Sequence, residues 1–379
     1  MKALVLGGCG AQALPAVEDL VLSDDISQVT IGDIDKEKAD RLVAKLKSPK
    51  LSALKVDVHD HPGLVACIQG ADVTLNCTGP YHLLGVKVLK AAIEAGRHYV
   101  DYCDDYDATL DMLELDGAAK EEGVTAIIGL GASPGLCNLM AKQGAGKLDS
   151  TDEIRIFWVI GEGEPEGPAV YDHMFHMVSG DVPQFLDGKL VNVPGLSGAE
   201  EIIEFPAPHG ALPVFYVGHP EPITLSRVIP GVKTVVNKGA LTGEMIGLFQ
   251  GLKELGLMGA EPVSVKGQDV SPRDLLVTLM ASVPHEELPP EERLSAMVIQ
   301  VIGTKDGNAV TLEYAGVANM APCTSLPASL AVRMLARGEI KETGVLPPEA
   351  CLDMGPFQAM LKERGLADFH EKMIMKTAL

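Results

Sequence analysis

The amino-acid sequence predicts an α/β protein: a Rossmann doubly wound parallel sheet with a second α+β domain built on a mostly antiparallel sheet. Three observations predict it. Short apolar runs alternate with helical patterns through the first third of the chain, which is the rhythm of βαβ units. A glycine turn, Gly7-Gly8-Cys9-Gly10-Ala11-Gln12-Ala13, joins the first strand to the first helix. After Gly129 the rhythm gives way to strands separated by turn-rich segments, the pattern of an α+β domain.

The elements follow in order. Lys2–Leu6 is the first strand and Val29–Ile31 the second. Lys36–Leu46 is a polar helix with Ala39, Leu42, Val43 and Leu46 on one face. Leu54–Val58, Val73–Cys77, His98–Asp101 and Thr125–Ile128 read as strands, separated by helices over Pro62–Gly70, Val86–Ala95 and Leu110–Glu122. Beyond Gly129, strands are expected at Ile154–Ile160, Leu190–Val193, Ile202–Phe205 and Met297–Ile302, with a turn over Gly161–Pro168 after the first of them. Asp306-Gly307 is a hairpin turn leading into Ala309–Tyr314. An amphipathic helix, Ser325–Arg337, ends near Gly338 and returns to the first domain, and Pro347-Pro348 opens a helical tail. The expected division is therefore residues 1–128, completed by C-terminal helices over 325–379, and residues 129–324 for substrate and dimer contacts.

Gly8, Gly10 and Ala13 fit the dinucleotide fingerprint G-x-G-x-x-G/A. The first glycine permits the tight turn, the second lets a pyrophosphate approach the backbone, and Ala13 is small enough for the helix to pack on the strand. The helix N-terminus, with Ala11 and Gln12 in its approach, offers N–H groups to the phosphates. Asp33 follows Gly8 by about twenty-five residues, near the place of a ribose hydroxyl acceptor. A carboxylate there accepts hydrogen bonds from the ribose of NAD and repels the 2′-phosphate of NADP, with Lys36 and Lys38 as partial offsets. The expected cofactor is NAD, in preference to NADP.

The chain of 379 residues carries a formal net charge of −21, a surface that repels phosphate backbones and anionic lipids. Nucleic-acid and membrane partners are accordingly not expected. Hydrophobic residues make up 46%, enough to exclude a disordered chain. The seven cysteines, Cys9, Cys67, Cys77, Cys103, Cys137, Cys323 and Cys351, form no C-x-x-C pair, which argues against a disulfide framework or a structural zinc site. Met1 runs straight into the first strand without a charged and apolar leader, so a cytoplasmic location is expected. A homodimer is the default assembly, twofold dimers being the commonest oligomers.

Ligands of open α/β sheets bind beyond the carboxyl ends of the strands. The loop Asn76-Cys77-Thr78-Gly79-Pro80-Tyr81-His82 should lie over the nicotinamide half of a dinucleotide. Tyr81 and His82 then point at the active cleft, although His82 also suits a helix-capping role. Asp101 and Cys103 lie nearest the end of the fifth strand. Asp101 could hold a substrate ammonium or act as a general acid or base, whereas a solvated acidic loop accounts for Asp105 and Asp107. Residues Gly129–Asn138 look like a backbone cradle or a structural turn, with Ser133 as N-cap and Pro134 at the first helical position. His173 and His176 are three apart on a helix but lack a third ligand with convincing spacing, so no metal is expected. Arg227, in an otherwise apolar segment, could grip a substrate carboxylate or be an exposed strand arginine.

With these residues in view, the chain resembles the saccharopine dehydrogenase-like family, the group of saccharopine reductase, lysine 6-dehydrogenase and carboxynorspermidine dehydrogenase. The matching pieces are Gly8–Ala13, Thr78–Tyr81, Ala91–Asp101, Ala132–Asn138 and Thr343–Glu349. The resemblance implies a Rossmann domain completed by C-terminal helices, a central α/β domain over the active cleft, and hydride transfer between a nicotinamide cofactor and a carbon bearing an amine or imine. It places the cofactor loop at Gly8, Gly10, Ala11 and Gln12, and the nicotinamide-side loop at Thr78, Gly79 and Pro80; Cys77, in the same loop, is expected beside the cofactor from its position after the fourth strand. It also sets Asp57 and Val58 beside adenine and Tyr81 against an amino-acid-like substrate.

Overall fold

A computed structural model describes residues 1–161, 167–241, 243–283, 288–289, 293–365 and 369–376. Residues 162–166 of the turn expected after the Ile154 strand lie outside the described residues. The chain divides into two compact units, Met1–Leu139 with Ala321–Glu363, and Met140–Met320 with Arg364–Leu379.

The first unit alternates strands and helices: β1 (Lys2–Leu6), α1 (Leu14–Leu22), β2 (Gln28–Asp33), α2 (Lys36–Leu46), β3 (Leu51–Lys55), α3 (His61–Gln69), β4 (Val73–Asn76), α4 (Tyr81–Glu94), β5 (His98–Asp101), α5 (Tyr106–Leu113), α6 (Asp116–Glu121) and β6 (Thr125–Ile127). All strand pairings in its sheet are parallel, including that of a late strand, Gly344–Leu346, against β6. The order is the late strand, then β6-β5-β4-β1-β2-β3. The direction of winding reverses between β1 and β4, which opens a crevice at their carboxyl ends. Ala3, Leu4, Val5 and Leu6 are all buried, as a parallel strand covered on both faces requires. The helix expected over Leu110–Glu122 is two helices, α5 and α6, broken where Leu115 N bonds back to Met112 O at 3.0 Å.

Helix α7 (Leu136–Ala145) carries the chain into the second unit. There follow β7 (Ser150–Val159), α8 (Pro168–His176), β8 (Asp181–Leu186), β9 (Lys189–Pro194), β10 (Ile202–Phe205), β11 (Gly210–Tyr216), α9 (Glu221–Val228), β12 (Thr234–Ala240), α10 (Gly243–Glu254), β13 (Val263–Val265), β14 (Gln268–Val270), α11 (Pro272–Ser282), β15 (Ser295–Lys305) and β16 (Asn308–Ala318). The nine-stranded sheet has the path β10-β11-β12-β7-β15-β16, then one more strand. Its pairings are antiparallel except β12 with β7. On one face Phe157, Val159, Ile203, Phe205, Val214, Ala240, Ala296 and Val298 form a core. The β15–β16 hairpin turns at Asp306 (φ 50°) and Gly307 (φ 76°), the left-handed pair that the Asp-Gly sequence favours.

The chain returns to the first unit through α12 (Met320–Ala336), β17 (Gly344–Leu346), α13 (Pro348–Cys351) and α14 (Met354–Glu363). On α12, the Ser329 hydroxyl donates to buried Asp19 of α1, and the Arg333 guanidinium lies 3.3 Å from the same carboxylate. The expected helical tail to residue 379 is only part helix. Residues His370–Lys376 form β18, an edge strand of the second sheet, with His370 opposite Ala315 and Lys376 opposite Ala309. The first unit correspondingly reaches Leu139 rather than residue 128 and draws its late segment from 321–363. Among the described residues no helix is long and apolar enough to cross a membrane.

Candidate active site

At the carboxyl end of β1 the backbone turns at Gly7, whose φ is +69°. A Cβ on Gly7 would stand 2.7 Å from the Cys77 carbonyl oxygen, so no other residue fits. The expectation put this tight turn at Gly8. The structure puts it one residue earlier, because Gly7 N must reach the Gly32 carbonyl of β2 at 2.8 Å. Gly8 is instead crowded by Ile31 and Val5, where a Cβ would come within 3.1 and 3.3 Å of their methyls. Gly10 N closes the turn on Gly7 O at 2.9 Å, and buried Ala13 follows at the entry to α1. Asp33 lies against this turn: Oδ2 accepts from Cys9 N at 3.3 Å and Oδ1 from Asp35 N at 3.0 Å. Burial, reinforced by Asp33, pushes the Cys9 thiol up to about 12, so it stays protonated. Lys36 does not stand free near Asp33, since its ammonium pairs with Asp40 at 2.5 Å. Asp57 is exposed and Val58 half-buried just past β3, where Val56 N bonds Asp33 O.

These residues fit a dinucleotide. The turn accepts only glycine at its tightest point, α1 opens directly after it, and the buried Oε1 of Gln12 has no protein partner. A buried acceptor left unpaired is costly, and a ligand donor would satisfy it.

The β4 and β5 ends are tied into one hydrogen-bonded network. The Asn76 amide donates to Tyr99 OH at 3.0 Å, while its Oδ1 accepts from Thr78 N and Thr78 Oγ1 at 3.0 and 2.5 Å. Gly79-Pro80 is a cis peptide leading into α4. Tyr81 turns inward: its OH donates to Asn76 O at 2.9 Å and its ring meets Tyr102 edge-on at 5.9 Å. Burial holds its phenol well above the usual range.

Asp101 is fully buried. Its Oδ2 accepts from Tyr99 OH at 2.6 Å, and its Oδ1 from Cys103 N at 3.0 Å and Gly129 N at 2.7 Å. Burial pushes this carboxyl up to about 6, against the pull of those hydrogen bonds. A carboxylate so engaged clamps the loops after β5 and β6 together; it does not present an open oxygen to an ammonium. Cys103 is likewise sealed, with its thiol against Asp105 O at 3.6 Å and raised well above the ordinary thiol range by burial. It is not a thiolate nucleophile.

The exposed-loop reading of Asp105 fails. Asp105 is fully buried, and one oxygen, Oδ2, accepts from His82 N at 2.8 Å and lies 3.2 Å from His82 Nδ1. His82 is in the first turn of α4, where backbone N–H groups lack intrahelical acceptors. Asp105 therefore caps the helix, and His82 is capped rather than capping. With Nδ1 facing the carboxylate, the imidazole is held in one orientation with Nε2 as its second proton-bearing position. An imidazole aligned by a buried carboxylate suits general acid–base work. The acidic neighbours of Asp105 hid this in the sequence; its offset from the start of α4 was the only signal.

The Gly129–Asn138 loop is a turn rather than a capped helix start. Gly131 bridges to Gly135, Ser133-Pro134 is cis, and Gly135 has φ +124°, which is not helical, so α7 begins only at Leu136. Asn138 locks it, accepting from Gly135 N and donating to Glu349, each at 3.0 Å. In the second unit, Arg227 is exposed in the last turn of helix α9, not on a strand as the apolar run suggested. His173 and His176 share α8. His173 meets the ring of His219 edge-on at 5.5 Å, and His176 Nδ1 lies 3.3 Å from Arg273.

A parallel sheet ordered 3-2-1-4-5-6, a glycine turn into α1 and an acid at the end of β2 define a dinucleotide-binding protein of the Rossmann class. Comparison with known proteins gives the family. Residues 3–127 match the saccharopine dehydrogenase NADP binding domain, and residues 131–366 match the saccharopine dehydrogenase C-terminal domain. The chain belongs to the saccharopine dehydrogenase family and is an NAD(P)-dependent oxidoreductase. It is 24% identical to the carboxynorspermidine synthase of Vibrio cholerae, over 97% of this chain and 96% of that protein. It is 23% identical to the carboxyaminopropylagmatine dehydrogenase of Synechocystis, over 98% and 97%. The fold is that of the saccharopine dehydrogenase (L-Glu forming) of Saccharomyces cerevisiae, with a TM-score of 0.72 at 18% identity, covering 98% of this chain and 99% of that one.

Proposed function

We propose that the protein moves a hydride between a nicotinamide cofactor and the carbon of an amine or imine on an amino-acid-derived substrate, using NAD in preference to NADP. The observation that carries this reading is the His82–Asp105 pair, which stands at the start of α4, beside the β1/β4 crevice of the unit that bears the dinucleotide turn. The names of the relatives support the substrate class, since each refers to a dehydrogenase or synthase of a carboxylated amine.

The cofactor, when bound, supplies the hydride chemistry. The turn Gly7–Gln12 and the start of α1 would hold its diphosphate, Asp33 its ribose, and Thr78, Gly79 and Pro80 the nicotinamide side. His82 would give or take the proton that accompanies reduction or oxidation of the C–N bond, and Asp105 would hold its ring in place. Asp101 and Tyr81 act as positioning residues that fix the loops around the site. Arg227 has no role in this reading. The preference for NAD rests on Asp33, seated over the turn, and on Lys36, which is engaged by Asp40. A homodimer in the cytoplasm remains the proposed setting. The reading is tested by assaying NADH- and NADPH-linked turnover on carboxy-polyamines, saccharopine, lysine and simple hydroxy acids. Activity confined to hydroxy acids would overturn it.

A further inference from the structure

Helix α11 of the second unit is apolar on two opposite faces. Its inner face carries Arg273 and Val277, both buried. The Arg273 guanidinium fixes that face, donating to Met258 O at 2.9 Å and Ser179 Oγ at 3.0 Å. The outer face, about 200° round the helix, carries Leu275 and Leu279, with Val283 at the C-cap. These three are 48%, 54% and 56% exposed. A helix that is apolar all round belongs in an interior. The β13–β14 hairpin stands just before α11. It turns at Lys266 (φ 52°) and Gly267 (φ 82°), and among the described residues it forms a two-stranded sheet of its own. Val263 and Val265, two apart and so on one face, are 50% and 48% exposed. The foot of this arm is tied to α11 where Arg273 N donates to Gly259 O at 3.0 Å. A lone two-stranded hairpin is marginal in water, so the arm calls for a surface to lie against.

We propose that the outer face of α11 and the β13–β14 arm dock on the same elements of a second copy of this chain; this rests on the homodimer reading above and supplies its contact. Leu275 and Leu279, one turn apart, form the kind of ridge that interlocks with an identical ridge in helix pairs. A twofold axis beside Leu279 sets Leu275 of one copy near Val283 of the other. One apolar surface then serves both copies, as an isologous contact requires. The area fits as well. With Leu248 and Leu255, at 53% and 75% exposure, these side chains leave roughly 600 Å² of aliphatic surface in water. That is the upper end of what a monomer shows in its largest patch, and most of the about 800 Å² per partner in a stable interface. A lipid surface is not matched: Glu254, Glu261, Asp269 and Asp274 are exposed in the same segment, and anionic headgroups would repel them.

Sedimentation velocity of the full-length protein over a range of concentrations tests this, with circular dichroism to confirm that each variant is folded. The wild type is expected to be a dimer. Leu275→Glu combined with Leu279→Glu should raise the dimer Kd by about a hundredfold or more, and Val263→Lys combined with Val265→Lys by about tenfold or more. Leu22→Glu, at a position 77% exposed in the first unit, should leave the Kd within about twofold. Should the α11 variant fail to fold, the arm variant carries the test, since its two positions lie outside the main sheet and every helix. An unchanged dimer Kd in a folded α11 or arm variant overturns the proposal and leaves the homodimer reading standing. A wild type that is monomeric at every concentration overturns both. Failure of the redox reading shows elsewhere, as absent NADH- and NADPH-linked turnover in the wild type.

Discussion

One oxygen of Asp105 meets His82 twice, accepting from its backbone N at 2.8 Å and lying 3.2 Å from its ring Nδ1. The carboxylate thereby fixes both the start of α4 and the rotamer of the imidazole. His82→Ala is expected to lower kcat by about 10²–10⁴-fold, the range for loss of a general acid–base group. Asp105→Asn should lower it less, by about ten- to a hundredfold, because an amide still accepts from His82 N. Both should leave NADH affinity within about twofold, since neither residue belongs to the turn that would hold the diphosphate. Steady-state kinetics beside calorimetry separates these effects. Unchanged kcat in His82→Ala would remove the acid–base role.

Cofactor choice is expected to follow Asp33. Asp33→Ala should raise the NADP to NAD ratio of kcat/KM by about tenfold or more, by removing both a ribose acceptor and a repelling charge. A wild-type enzyme that already preferred NADP strongly would show that Asp33 does not reach the ribose.

Gly7 tests the turn itself. Gly7→Ala would force a side chain into φ +69° with its Cβ 2.7 Å from Cys77 O. The strain alone is expected to cost on the order of 1–3 kcal/mol, read as a lower urea midpoint, with NADH binding lost or sharply weakened. Native stability together with wild-type affinity would mean that the backbone there relaxes freely.

Asp101 gives a pH signature. Burial raises its carboxyl from the ordinary 3.8 to about 6 in the folded protein, so between these values the native state holds a proton that the unfolded chain has released. Its contribution to stability is fully present below about 3.8 and is lost as pH rises through about 6. Asp101→Asn cannot ionise, so the stability difference between wild type and variant should shift against the wild type across that window, by on the order of 1–3 kcal/mol. Urea unfolding of both proteins from pH 4 to pH 7 measures it, and parallel curves would refute it.

What could be read in the sequence is what is encoded locally. The apolar β1, the glycine turn, Asp33 at the end of β2 and the Asp306-Gly307 hairpin each depend on neighbours a few residues away. The His82–Asp105 pair joins positions 23 residues apart, and an acidic run around Asp105 looks the same whether solvated or buried. Nearness to a strand end does not say which way a side chain turns: Asp101 and Tyr81 turn into the network around Asn76 and Tyr99, and Cys103 turns its thiol toward Asp105 O. In the second unit β12 went unread, since Lys238 and Asn237 break its apolar run and are buried only by tertiary partners. The strand character of His370–Lys376 is not legible locally because it comes from pairing with β16, a partner about sixty residues earlier.

The chain passes from one unit to the other three times, after Leu139, Met320 and Glu363. The last strand of the parallel sheet, β17 beside β6, and the last of the mixed sheet, β18 beside β16, therefore both come from late segments of the chain. A nascent polypeptide cannot finish its first half and then start its second. Both halves are completed by late segments, and a cut after Met320 removes a piece of each, whereas a cut after Leu139 divides only the first unit and one after Glu363 only the second.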